Sequence, residues 1–292
     1  MTVALALEIG FVFGFPLALG AWLRRRYQVS WLLFAAGAIT FGLSQAVHLP
    51  LNQALFAFIG RVDPFPHWAT ALVLGLTAGI CEETVRYAAL RWVLRDLRKW
   101  RQALMFGAGH GGIEAIVFVG LVVGAVLLNM TTLQGADLNE WTLPAGQAAQ
   151  LRDQLDAYWG QAWVGPLLAA AERLFSIVFH IGMAVLVLRA VRRSQPAYLL
   201  LAMGLHTASN TLALLAVDAG WSLVATEGVV GLFALAGLGI VLASRPGELA
   251  EEARPQVTTS GSGLPPLPGA RRQPCTPEER LRRQVQESKY ER

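Results

Sequence analysis

The chain has 292 residues, of which 54% are hydrophobic and 15% charged, with a net charge of +4 at neutral pH. Mean hydropathy is +0.45, and the low charged share excludes an ordinary soluble domain. The basic residues gather in short loops between apolar runs, which marks membrane orientation and excludes a nucleic-acid face. One of the two cysteines, Cys81, lies inside an apolar run and the other, Cys275, in a polar tail, so no disulfide framework is expected.

Apolar runs of about 20 residues suffice to cross a ~30 Å hydrocarbon core. Runs at 3–23, 30–47, 68–90, 103–130, 163–188, 196–217 and 222–243 predict an all-α bundle of about seven transmembrane helices. The first is followed, not preceded, by its basic cluster Arg24 to Arg26, the reverse of a cleavable signal peptide, so it is expected to be a span. Between the second and third spans, His48, Pro50 and Asn52 break the apolar pattern and a short amphipathic piece covers 51–59. His48 and His67 are therefore expected in outer loops.

Placing the N-terminus outside puts the basic clusters at 24–26, 91–101, 189–193 and from 245 onward on the cytoplasmic side. The acidic stretch 131–160 then lies outside. Trp22, Trp31, Trp68, Trp92, Trp163 and Trp221 fall at the expected interfaces. From Arg245 the composition turns to Pro, Gly, Ser and mixed charge. Residues 1–244 are thus expected to form the membrane domain and 245–292 a flexible cytoplasmic tail.

Strongly polar side chains inside the spans are the informative exceptions, because charge at membrane depth costs several kcal/mol and is usually functional. They are Glu82, Glu83 and Arg86; His110 with Glu114; Glu172 with Arg173; His180; and His206 with Asn210. Glu82 and Arg86, His110 and Glu114, and His206 and Asn210 are each four residues apart, so each pair shares a helix face. Counted from the cytoplasmic ends, Glu82, His110, His180 and His206 lie at a common depth of about 12–15 Å. Glu172 and Arg173 lie about 12 Å further out, as a charge pair or chamber wall. Any one of these groups could be a packing polar residue, but together they describe a polar chamber.

A carboxylate beside imidazoles can activate water, and an Asn amide can donate to a developing oxyanion. Histidines His110, His180 and His206 with a carboxylate such as Glu114 also suit Zn²⁺. A His-Glu-x-x-His stretch is absent, so zincin chemistry is not supported.

Glu82-Glu83-x-x-Arg86, Phe106-x-x-x-His110 and His206-x-x-x-Asn210, in that order, resemble the motifs of the CAAX-protease and bacteriocin-processing superfamily. With Gly109-His110-Gly111-Gly112-x-Glu114 and Glu172-Arg173 followed by His180, the chain resembles the YhfC family of intramembrane metalloproteases, relatives of PrsW. The resemblance covers 79–210. It implies a multi-span endopeptidase, acting on membrane-associated proteins or peptides within the lipid bilayer. Glu82 or Glu83 would activate water while Arg86 holds the other. His110 and His206 would orient the water or bind metal, and Asn210 would stabilise the oxyanion. The prenyl-protease branch has three residues between the Glu pair and Arg where this chain has two, which weakens the case for prenylated substrates.

A proton-coupled transporter or channel is the competing expectation, with the Glu/His set as a relay and the Gly-rich 107–112 loosening its helix. No repeated halves support it. A retinal-type receptor is excluded, because Lys99 and Lys289 are the only lysines and neither lies in a span.

Overall fold

The computed structural model describes residues 1–60, 66–137, 141, 144 and 146–252, with 246–252 described by backbone alone. All regular structure among them is helical: α1 (Thr2–Tyr27), α2 (Trp31–Ile59), α3 (His67–Ala88), α4 (Trp100–Glu114), α5 (Val122–Gln134), α6 (Gln147–Trp159), α7 (Val164–Arg193), α8 (Pro196–Asp218) and α9 (Leu223–Glu252). π-helical segments at Ala89–Val93 and Ala115–Leu121 extend α3 and join α4 to α5.

Helix ends follow local chemistry. The Ser30 hydroxyl accepts from the Leu32 amide and starts α2. Gln28 and Ser194 adopt left-handed backbone after α1 and α7, whose last turns carry Arg24 to Arg26 and Arg192 with Arg193. Those cations face the negative end of each helix dipole. Pro196 opens α8, where its missing N–H has no partner to lose.

Among the described residues, six helical stretches are long and apolar enough to cross a membrane: Thr2–Tyr27, Trp31–Ile59, Trp100–Gln134, Val164–Arg193, Pro196–Asp218 and Leu223–Arg245. The expected third span is α3, whose 22 residues reach about 33 Å. Its buried Glu82, Glu83 and Arg86 set it apart from the six. The outward faces are apolar: Leu32, Leu43, Leu76, Leu200, Leu232 and Leu235 are all exposed. A surface of this kind belongs against lipid.

Helix α7 is the axis of the bundle, packing against α1, α4, α8 and α9. Its run from Met183 to Leu188 is buried on every side, as a central helix requires. Helix α3 is held by α2 and α8, and α2 also packs on α4.

Glycine allows the closest of these approaches. A Cβ on Gly109 would stand 2.0 Å from the Phe34 carbonyl oxygen, and one on Gly37 would stand 1.9 Å from that of Phe106. These two residues set the α2–α4 crossing, much as small residues do between membrane helices generally. The glycines from Gly107 to Gly112 therefore do not loosen their helix, which stays regular from Trp100 to Glu114. Gly109→Ala is expected to lower stability by about 1–3 kcal/mol, the usual range for overpacking. An unchanged denaturation midpoint in detergent would contradict this.

Three boundaries differ from the sequence reading. Helix α2 runs through Pro50 to Ile59, so the amphipathic piece at 51–59 is its last part and His48 lies within it. A membrane helix tolerates proline where neighbours satisfy the freed carbonyl. Helix α9 continues to Glu252, past the domain boundary expected at 244. The polar 131–160 stretch contains a helix of its own, α6. The expected tail from 253 onward lies outside the described residues.

Candidate active site

Glu82 and Glu83 are adjacent on α3, so helical geometry sends them about 100° apart, toward different neighbours. Glu83 is fully buried, and both its oxygens lie on Arg86 Nη1, at 2.5 and 2.6 Å. Its Oε1 also accepts from His206 Nδ1 at 2.8 Å. Arg86, equally buried, turns its Nη2 to His180 Nδ1 at 3.1 Å. Glu83 is thus committed to a cation and an imidazole N–H, and Glu82 is the carboxylate left facing His110 and the Nε2 of His206.

Glu82 Oε2 lies 3.1 Å from His110 Nε2 and 3.8 Å from His206 Nε2. His110, His180 and His206 stand in sequence around it, with ring centroids 5.0 and 5.2 Å apart. Phe41 packs edge-on against His110, and Phe179 against His180 and His206, so aromatic walls close the polar cluster.

The partners of each ring nitrogen constrain where the imidazole protons sit. Thr40 donates its one hydroxyl proton to the Gly37 carbonyl at 2.6 Å, so its oxygen accepts from His110 Nδ1 at 3.1 Å. In a neutral His110 this turns the Nε2 lone pair toward the Glu82 carboxylate, and a proton on Nε2 makes the same 3.1 Å contact a hydrogen bond. His206 donates through Nδ1 to Glu83, so its Nε2 also presents a lone pair. Acceptors that face one another at such distances repel unless a proton or metal cation lies between them. Each ring is oriented through Nδ1 by a neighbour, an arrangement common to metal-binding histidines. The donor set and its convergence therefore fit a metal ion.

Proximity by itself groups Glu82, His110 and His180, whose ligand atoms lie within 4.8 Å of one another. The hydrogen bonds separate His180 from that group. Arg86 never gives up its protons and donates to His180 Nδ1, so a neutral His180 carries its own proton on Nε2. A ligand nitrogen needs a free lone pair as well as a short distance, and a neutral His180 lacks one at Nε2.

A family model described as YhfC intramembrane metalloprotease matches residues 11–234. The chain belongs to the YhfC family. It is 33% identical over 227 residues to "Uncharacterized membrane protein YhfC" of Bacillus subtilis (strain 168), covering 73% of this chain and 84% of that one. No solved structure matches it. With six apolar helices among the described residues as well, it is an integral, multi-pass membrane protein. The YhfC match begins in α1 and takes in α2, well before the motif region at 79–210.

Helix α4 brings Glu114 one turn beyond His110, where Glu114 Oε2 lies 2.6 Å from His180 Nε2. His180 is the near partner of this buried oxygen, which has no other donor among the described residues. Glu114 Oε1 is held by Arg173 Nη1 at 3.5 Å and Ser176 Oγ at 3.4 Å. Arg173 also pairs with Glu172. The pair expected a full level outward therefore reaches the chamber through Glu114, because an Arg side chain spans much of that gap. A π-helical segment begins immediately after Glu114, a distortion frequent at functional sites.

Asn210 is the expected member that stays apart. It is half-buried one turn beyond His206 and makes no hydrogen bond among the described residues. Conversely, Thr40 and Gln45 on α2 touch the site and were not singled out from sequence. Their signal was available: Gly37, Thr40, Ser44, Gln45, His48 and Asn52 form one polar and small-residue stripe at helical spacing.

Proposed function

We propose that this YhfC chain is a metal-dependent intramembrane endopeptidase. Helix α2 forms part of the chamber wall, and Glu82, His110 and His206 hold the metal. The observation that carries this reading is the convergence of two imidazole Nε2 atoms on one carboxylate oxygen, 3.1 and 3.8 Å away. Zn²⁺ is the ion this nitrogen and oxygen donor set suits, and when bound it polarises a carbonyl and makes water more acidic. The substrates are membrane-associated proteins or peptides, cleaved within a chamber that opens toward the cytoplasmic half.

The chain's own groups divide the proton work. Glu114, whose Oε2 lies 2.6 Å from His180 Nε2, takes a proton from the attacking water as the new C–O bond forms at the scissile carbonyl. It returns that proton to the amide nitrogen as the C–N bond breaks, so the step conserves protons. His180 presents its Nε2–H to the oxygen that gains negative charge, with Arg86 fixing the tautomer from behind. In this reading His180 takes the donor role that the motif resemblance assigned to Asn210. Glu83 with Arg86 keeps His206 and His180 in place and does not act on water.

The test is metal content and cleavage together, using purified protein in liposomes with membrane-tethered peptides. One zinc per chain is expected, lost in His110→Ala and His206→Ala and retained in His180→Gln. Chelation should abolish cleavage and added Zn²⁺ restore it. Undiminished cleavage by metal-free protein would refute the proposal. Substrate-coupled proton flux without proteolysis would favour a transporter instead.

A further inference from the structure

Beyond the chamber, the stripe on α2 continues as an unbroken series of hydrogen bonds. Thr77 Oγ1 on α3 donates to Asn52 Oδ1 at 2.8 Å, a shorter contact than the 3.0 Å to its own Leu74 carbonyl. Asn52 Nδ2 donates to His48 Nε2 at 2.9 Å. His48 must then carry its proton on Nδ1, which donates to Gln45 Oε1 at 3.2 Å. Gln45 Nε2 donates to Glu82 Oε1 at 3.2 Å.

Every link in this series has its donor on the side away from Glu82. Asn52 and Gln45 each accept at oxygen and donate at nitrogen, and His48 accepts at Nε2 and donates at Nδ1, so no link can reverse unless its neighbours do. The series begins about 10 Å from Gln45 along α2 and ends on a carboxylate. Such aligned bonds polarise one another in a low-dielectric interior. Gln45 is buried, while His48, Asn52 and Thr77 are half-buried.

We propose that Gln45, oriented through His48, Asn52 and Thr77, is the positioning residue that occupies Glu82 Oε1 and so presents Oε2 alone to the metal. This rests on the metal-dependent reading above and adds to it a support on α2 that decides how Glu82 coordinates. Without the series, the carboxylate is free to rotate and engage the ion through both oxygens. Ser44 cannot replace Gln45, because its hydroxyl donates to the Phe41 carbonyl at 2.7 Å.

The experiment titrates the purified, metal-free protein in detergent with Co²⁺ and follows affinity and the visible absorption of the bound ion. Gln45→Leu and His48→Leu are expected to weaken binding about 10–100-fold, as loss of an outer partner of a ligand does. Their spectra should shift toward weaker bands as Glu82 adds a second oxygen. His48→Gln keeps one acceptor and one donor, and should restore affinity and spectrum toward wild type. A merely structural role for α2 would move the folded fraction without changing the spectrum of the protein that still binds. If the wild type binds Co²⁺ and both Leu variants match it in affinity and spectrum, the positioning role is refuted while the metal site stands. If the wild type binds no Co²⁺, the metal reading and this inference fall together.

Discussion

Glu82→Gln and Glu114→Gln are expected to silence hydrolysis by different routes. The first removes a ligand charge from the point where the His110 and His206 lone pairs converge. The purified variant should hold little zinc and show no cleavage above background. The second keeps Glu82, His110 and His206 unchanged, so its zinc content should match wild type. Turnover should nevertheless fall about 10²–10⁴-fold, the usual contribution of a positioned general base. Single-turnover cleavage with zinc analysis on the same samples separates the two. Equal zinc loss in both would mean that Glu114 is a ligand. Undiminished turnover in Glu114→Gln would remove it from the proton chemistry.

Arg86→Met should have the largest effect on stability. Its guanidinium is fully buried and neutralises Glu83 while fixing His180. Removing it leaves a carboxylate in the bundle interior with only His206 as a donor. Breaking a buried pair in this way costs about 3–5 kcal/mol. Adding Glu83→Gln takes away the stranded charge, so the double variant should regain much of that loss in detergent denaturation. It should not regain activity, because His206 no longer has a carboxylate at Nδ1 and His180 has lost the donor that set its tautomer. A double variant no more stable than Arg86→Met would show that the pair is not the source of the loss. This contrast also tests the division between Glu82 and Glu83, since Glu83→Gln should rescue the stability of Arg86→Met and Glu82→Gln should not.

The structure also changes how the polar groups in the second span are understood. His48 and Asn52 look like a helix break in the sequence because they flank Pro50. In the fold they are turns of one continuous α2, and His48 is two bonds away from Glu82. Likewise the Gly-rich stretch before Glu114 could have signalled a loose helix. It is instead where α2 and α7 approach α4 most closely, bringing Thr40 and His180 within reach of His110.

Much of this protein follows from the order of its residues alone. Hydropathy and basic loops define an all-helical membrane chain, because the bilayer imposes its own length and charge rules on every span. The depth of Glu82, His110, His180 and His206 follows from a constant rise per residue, so a shared chamber was legible before any packing was known. The family resemblance in the motif region was legible too, and the family match confirms it. Helix rotation about its axis was not. That rotation gives Glu82 to His110 and Glu83 to His206 Nδ1, brings Arg173 to Glu114, and leaves Asn210 aside. Neighbouring Glu residues are nearly equivalent in sequence. Only the contacts of α3 with its neighbours decide which one meets Gln45 and His110 and which meets His206 Nδ1. Proton positions depend on those contacts as well, because a tautomer is set by what each ring nitrogen touches.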